Sequence, residues 1–414
     1  MLEFVKIKRT FPDEKIENIE EVTRSELLAL GEGIVRPGER IAVLADSRGI
    51  ANIHRVIRAV CDYVKEMNGI PFIIPAMGSH GGATAEGQKA LLAGYGITEE
   101  YCGAPVISSM EVVELPSDGL KTRLFMDRHA FEADGIIDVN RVKPHTDFHG
   151  EHESGIMKML VIGLGKHRQA LAIHDYGTYG LKELIVPAAR RVIETGKIRA
   201  GVGLVENSLD HTAEIRACRG KDIEALDLEL IGHARKLMPA LPAKHAHILI
   251  IDEIGKDISG TGMDTNITGR MSLEGEPDSG EVKMNRVIIG GLTEGTHGNA
   301  IGMGFADFAP RSILDAIDFA STNANVITST FLQRGKMPML ADNMRQCVEF
   351  AARTAGSPPP AEEDLRVIRV KSTLRMDEMY VTPNIYEEIR NDPDVEKTAE
   401  HIPVVDTDGN LPPF

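Results

Sequence analysis

The sequence predicts an α/β protein of two domains, each built on a mostly parallel sheet, with the active site in the cleft between them. Three observations carry this. Short apolar runs alternate with segments whose apolar residues recur at helical spacing, the pattern of strand–helix units. A Pro-containing break, Leu237–Lys244, is followed by a second series of the same kind. A polar run, Arg141–Lys158, packs three histidines, three acidic residues and two lysines between apolar segments. In α/β proteins such loops at strand ends carry the chemistry.

The elements follow in order. Arg40–Ala45 is an apolar strand that ends at Asp46-Ser-Arg48. From Ile53 to Met67, Val56, Ile57, Val60 and Val64 mark one face of a helix. Ile70–Ala76 is a second strand, running into Met77-Gly-Ser-His-Gly-Gly82, and a helix is expected over 85–93. Gly135–Val139 is a buried strand that leads into the polar run, and apolar Met159–Leu164 follows it. After a charged helix over 223–236 come strands His247–Asp252 and Val287–Gly290, then helices over 312–320 and 342–353. Gly356-Ser-Pro-Pro-Pro360 reads as a stiff connector. Residues 1–240 are thus expected to form the N-terminal domain and 241–390 the C-terminal one. A Pro-rich tail over 391–414 follows, and whether it folds back on the first domain is open.

Composition limits the partners. A net charge of -16 over 414 residues argues against nucleic acid or an anionic membrane as the main partner. A small anionic substrate remains compatible, because nearby positive groups outweigh distant charge. The four cysteines, Cys61, Cys102, Cys218 and Cys347, lack CxxC spacing, which fits a reducing compartment. No apolar run reaches transmembrane length and the N-terminus lacks a signal-peptide core, so a cytoplasmic location is expected.

Several motifs have a chemical and a bland reading. Asp46-Ser-Arg48 offers a guanidinium that grips a carboxylate or phosphate, or an ordinary ion pair. His80, among glycines, is a proton-exchanging group open to close approach by a ligand, or the cap of the next helix. His145, His149, His152, Lys158, His167 and His174 could meet at one pocket, or stand as incidental polar groups on a solvated loop. Ser259–Asn266 is Gly-rich but lacks the Lys-Ser/Thr ending of a phosphate loop, and reads better as a structural loop. Lys166 in Gly163-Leu-Gly-Lys166 would reach a phosphate or begin a helix in water.

Together, Asp46-Ser-Arg48, Met77-Gly-Ser-His80, Lys143-Pro-His145, Ser154-Gly-Ile-Met-Lys158 and His174 resemble, in order and approximate spacing, the nickel-pincer-nucleotide lactate racemase family. That family uses a pyridinium-3,5-bisthiocarboxylic acid mononucleotide carrying nickel, bound through a lysine thioamide. The resemblance implies an isomerase that inverts C2 of a 2-hydroxy carboxylic acid by hydride transfer to and from the cofactor. It implies Lys158 as covalent anchor, His174 as nickel ligand, His80 and His145 as acid/base pair, and Arg48 with Asp46 at the substrate. It also implies a small 2-hydroxy acid and cofactor-biosynthesis enzymes as partners, with homo-oligomerisation open. Here the lysine follows Gly-Ile-Met rather than Gly-Gly-Arg, and the longer Pro-His to lysine spacing keeps His149 as an alternative to His145. Thr293–Asn299 stands where the lactate enzymes carry Tyr-Gln and a nearby lysine, which implies a different or larger hydroxy acid, such as a sugar acid.

Two other readings are expected to compete. A zinc or manganese hydrolase or lyase would use His145, His149 and His152 as direct ligands. A non-catalytic homologue would bind cofactor or ligand without turnover.

Overall fold

A computed structural model describes residues 2–46, 49–273, 278 and 281–414. The chain divides into two α/β units, Pro12–Met238, and Met1–Phe11 together with Pro239–Phe414. The sequence reading put residues 1–11 in the first domain. Instead, strand β1 (Glu3–Arg9) joins the sheet of the C-terminal unit, because both its hydrogen-bonding edges are taken by strands from beyond residue 377.

The unit Pro12–Met238 is built on a five-stranded sheet. Its strands are β2 (Arg40–Ala45), β3 (Ile70–Pro75), β6 (Gly135–Arg141), β7 (Ile198–Glu206) and β8 (Thr212–Arg219), in the order β3-β2-β6-β7-β8. A separate hairpin pairs β4 (Val112–Leu115) with β5 (Leu124–Asp127). All pairs in the main sheet are parallel except β7–β8. Both faces are covered, so the strands read as continuous apolar runs. Ile41, Val43 and Ala45 enter one core with Ile73, Ile137 and Val139, while Ala42 and Leu44 enter the other with Phe72, Ile74 and Ile136. Helix Ile53–Glu66 closes the first core with Ile53, Val56, Ile57, Val60, Cys61 and Val64. Burying each large side chain contributes roughly 1.5–3 kcal/mol.

The C-terminal unit holds an eight-stranded sheet in the order β12-β11-β10-β9-β13-β14-β1-β15. Its remaining strands are β9 (His245–Ile254), β10 (Lys283–Leu292), β11 (Phe308–Pro310), β12 (Met339–Ala341), β13 (Val367–Val370), β14 (Glu378–Val381) and β15 (Val395–Pro403). The half from β12 to β13 is parallel, and the half from β13 to β15 antiparallel. The tail therefore supplies an edge strand to this sheet, running antiparallel to β1.

One element departs from its expected form. The helix expected over 312–320 is a 3₁₀ segment, Arg311–Ala316, followed by helix Phe319–Ser329. Asp318 breaks the run because its carboxylate accepts from the N–H groups of Ala320 and Ser321 and starts a new helix. Among the described residues, no helix is long and apolar enough to cross a membrane.

Candidate functional site

Strands β3, β2 and β6 lie side by side and parallel, so the segments after them emerge at one edge of the sheet. The connection from β2 runs to β3 on one side, whereas β6 lies on the other, which makes the β2/β6 boundary a switch point. Ligands in open α/β sheets bind beyond such boundaries. Asp46 follows β2 and is buried, His80 follows β3 on an exposed turn, and His145 follows β6. Arg48 lies outside the described residues.

The His80 turn is tied down from beneath. Gly78 has φ +60° and is packed so that a Cβ would stand 3.2 Å from Ile162, so glycine serves both the backbone and the close approach. The buried Gln88 amide donates to the carbonyl oxygens of Gly78 (2.9 Å) and His80 (3.3 Å).

The loop that carries His145 is closed by reciprocal backbone hydrogen bonds between Lys143 and Ser154. Glu153 braces it from inside. Its carboxylate accepts from the N–H of His145 (2.6 Å) and from Arg235 (2.7 Å). Burial pushes the Glu153 carboxyl up, but hydrogen bonds from His149, His145 N–H and Arg235 outweigh it, and its pKa lies below the usual value. The His145 ring packs on Phe148, with centroids 4.6 Å apart, and its Nδ1 accepts from the Asp147 N–H at 2.9 Å. Its Nε2 faces Lys158 Nζ at 2.6 Å.

Lys158 sits where a short α-helical turn, Ile156–Lys158, passes into a π-helical turn, Met159–Gly163. Such wide turns are frequent at functional sites. The buried Asp227 carboxylate starts this helix by accepting from Ile156 N–H at 2.7 Å. Gly155 permits this, since a Cβ there would stand 2.2 Å from Asp227 Oδ1. His174 ends the helix Lys166–His174 and keeps an exposed edge. Desolvation lowers its pKa, and the charge Lys158 carries when protonated adds to that, partly offset by Asp147 and Asp175. Its imidazole is accordingly neutral near pH 7, with a lone pair available to a metal. His145 and Lys158 thus form a pair with Asp147 beside it, and His174 lies near enough to feel the charges of Lys158 and Asp147.

The other histidines do not join them. His149 is exposed and turned to Glu153 (3.5 Å), and His152 is held by Asp227 (3.1 Å) and Glu224 (3.6 Å). His167 has its Nδ1 buried without a hydrogen-bond partner. Among the described residues, no three His, Cys, Asp or Glu side chains are grouped to hold a metal ion, so the direct-ligand set His145, His149 and His152 does not form. Lys166 meets neither phosphate nor water. It is fully buried, donates to the Pro75 carbonyl and lies 3.3 Å from the buried Asp127 carboxylate, an ion-pair distance rather than a well-formed hydrogen bond.

Residues 46–271, more than half of the chain, match the family model described as "Domain of unknown function (DUF362)". The chain belongs to the DUF362 family. Among curated proteins, none matches it in sequence. In structure, the DUF362 chain is similar to the lactate racemase apoprotein from Thermoanaerobacterium thermosaccharolyticum, with a TM-score of 0.54 and 12% identity over 90% of this chain and 99% of that one. At that identity the likeness is one of fold: a lactate-racemase-like fold of two α/β units.

Sequence reasoning missed three carboxylates that shape this DUF362 site. Glu153 and Asp227 are struts, each buried beneath a stretch of exposed polar sequence. Asp138, in the middle of β6, is fully buried and its pKa is pushed well above the usual range, by burial first and then by the charges of Asp46 and Asp227. Its Oδ1 accepts from Asn140 at 2.5 Å, while its Oδ2 has no hydrogen-bond partner. The visible signal was a carboxyl group inside the otherwise apolar run Gly135–Val139. In the C-terminal unit, Lys256 follows β9, and its Nζ donates to Asn325 at 2.8 Å. Asp257 there accepts from Thr293, and Ser259–Asn266 turns its polar groups inward, as a structural loop does. A recess of about 840 Å³ lies elsewhere in that unit, beside Arg270, Asn285 and Arg286, and includes none of the residues around Lys158.

Proposed function

We propose that this protein is a racemase or epimerase that inverts C2 of a 2-hydroxy carboxylic acid, using a nickel-pincer nucleotide anchored on Lys158. The observation that carries the reading is the grouping of Lys158, His145 and His174 past the carboxyl ends of β2, β3 and β6. The likeness in fold to a lactate racemase apoprotein supports it.

The donor set fits such a cofactor. Lys158 offers an amine for a covalent N–C link, and His174 a neutral imidazole nitrogen, a donor suited to nickel. When bound, such a nucleotide would supply the acceptor and donor for the α-hydrogen of the substrate. The chain's own residues handle the protons. His145 exchanges the substrate hydroxyl proton at Nε2, because its Nδ1 is turned to Asp147. For Nε2 to work as a base, Nδ1 must exchange the Asp147 N–H for the Asp147 carboxylate, 3.9 Å away, as its partner. His80, on its braced turn, serves the other face, and two bases of matched strength are what a reversible inversion requires. Arg48 grips the substrate carboxylate bidentately, with Asp46 near it.

The test is α-hydrogen exchange in protein produced with the cofactor's biosynthetic enzymes, screened against 2-deuterated hydroxy acids from lactate to sugar acids. Loss of deuterium with inversion of one of them is the expected result. Retention of deuterium in every acid by cofactor-loaded protein would remove the reading.

A further inference from the structure

Beneath the His80 turn lies an interior cluster that the proton transfers do not use. Lys166, Asp127 and Gln88 each have no exposed surface. Lys166 begins the helix that ends at His174, and its φ of +57° lies in the left-handed region, where a residue with a Cβ is strained. One residue thus combines a strained backbone with a charged group held away from water. Such strain persists where the surroundings over-determine it, and it gathers at functional sites.

Lys166 Nζ is where the ends of two strands meet. It donates to the carbonyl of Pro75, the last residue of β3, and stands 3.3 Å from the carboxylate of Asp127, the last residue of β5. The other oxygen of Asp127 accepts from Ala130 N–H at 3.0 Å, which fixes the carboxylate. Nζ also reaches the side-chain oxygen of Gln88 at 3.5 Å. That contact decides how the Gln88 amide is turned. With its oxygen toward Nζ, its NH₂ group faces the turn and donates to the carbonyls of Gly78 (2.9 Å) and His80 (3.3 Å). A reversed amide would set N–H against N–H and its oxygen against two carbonyl oxygens. Gly78 N–H in turn donates to the Gly163 carbonyl at 3.4 Å, in the π-helical turn that follows Lys158. The His80 turn is therefore tied from below to Lys166 and from the side to the segment that carries Lys158.

We infer that Lys166 is a positioning residue for His80: paired with Asp127, it orients the Gln88 amide, and that amide sets the turn that presents His80. Because the same lysine starts the helix ending in His174, one interior residue fixes both histidines in one frame. The inference rests on the reading of His80 as the second acid/base group and adds what holds it in place.

The experiment is NMR of the cofactor-free protein labelled at the glutamine and histidine side chains. In wild type the Nε2 protons of Gln88 are expected to exchange with water at least ~10-fold more slowly than those of an unstructured peptide, as two buried hydrogen bonds require. Lys166→Met combined with Asp127→Asn removes both charges together, so that neither is left alone in the interior. In that protein the Gln88 protons should exchange about 10-fold faster, and the His80 ring signals should shift. Gln88→Leu leaves the ion pair and removes both donors. It should shift the His80 signals in the same way, and adding it to the double variant should move them no further. His54, on the helix Ile53–Glu66 of the other core, is the control for general loosening. His80 signals unmoved by Lys166→Met with Asp127→Asn, or moved together with those of His54, would overturn the inference. So would Gln88 protons that exchange in wild type as in a peptide. None of these measurements involves nickel, nucleotide or hydroxy acid, so their failure would leave the proposed reaction standing. Hydroxy-acid exchange indifferent to His80→Ala would instead remove the role of His80 and leave its positioning intact.

Discussion

Lys158 Nζ and His145 Nε2 lie 2.6 Å apart, on segments thirteen residues distant in the chain. The fold brings them together with two buried carboxylates. Glu153 holds the loop that carries His145, and Asp227 holds the start of the helix that carries Lys158. Each can be removed to ask what the geometry owes to it.

Glu153→Ala leaves the His145 N–H and Arg235 without their shared acceptor and is expected to cost about 1–3 kcal/mol at pH 7, read by urea unfolding. The folded pKa of Glu153 is depressed. Its contribution is therefore present above the unfolded value of about 4.3 and is lost as pH falls through the folded one. The gap between wild type and variant should shrink toward pH 3. A gap that persists there would mean that the charge of Glu153 is not what holds the loop.

Asp138 runs the other way. Its folded pKa is raised, so the native state resists losing a proton that the unfolded chain gives up readily. The associated stability is complete below the unfolded value, about 3.9, and is lost as pH rises through the folded value. Asp138→Asn copies the neutral acid and should match wild type near pH 4. At pH 8 it should be more stable by about 1–3 kcal/mol, the scale of an ill-paired buried polar group. Equal unfolding curves at both pH values would contradict a neutral Asp138.

Lys166 and Asp127 are an ion pair without exposed surface. Lys166→Met leaves a buried carboxylate uncompensated and should cost about 3–5 kcal/mol in urea unfolding. Adding Asp127→Asn, which keeps an acceptor for Ala130 N–H, should recover at least half. Additive losses in the double variant would show that the two side chains are not coupled.

In cofactor-loaded protein, His145→Ala and His80→Ala should each lower α-hydrogen exchange by about 10²–10⁴-fold, the range of a positioned acid or base. His149→Ala should change it little, because His149 faces Glu153 rather than Lys158. A collapse of exchange in His149→Ala with normal rates in His145→Ala would reverse the roles of the two histidines.

Much of the fold was legible because burial on both faces leaves a plain mark. Strand Arg40–Ala45 and helix Ile53–Glu66 lie where their apolar spacing puts them. What pairs with β1 was not legible, since a strand pattern names no neighbour, and its partners β14 and β15 come from the far end of the chain. At the site, position past a strand pointed to His80 and His145, and the family resemblance pointed to Lys158 and His174. They left His149 open beside His145, because which of the two turns outward depends on Glu153, a carboxylate buried beneath the same loop. Nor did they reveal Lys166 as an interior cation, since its partner Asp127 belongs to a hairpin that no local pattern ties to it.

The most direct measurement is the intact mass of protein made together with the cofactor's biosynthetic enzymes, with peptide mapping and nickel analysis. The account predicts one covalent increment on Lys158, about one nickel per chain, loss of both in Lys158→Ala, and loss of nickel with retained increment in His174→Ala. An unmodified Lys158 in protein that nonetheless inverts a hydroxy acid would contradict it.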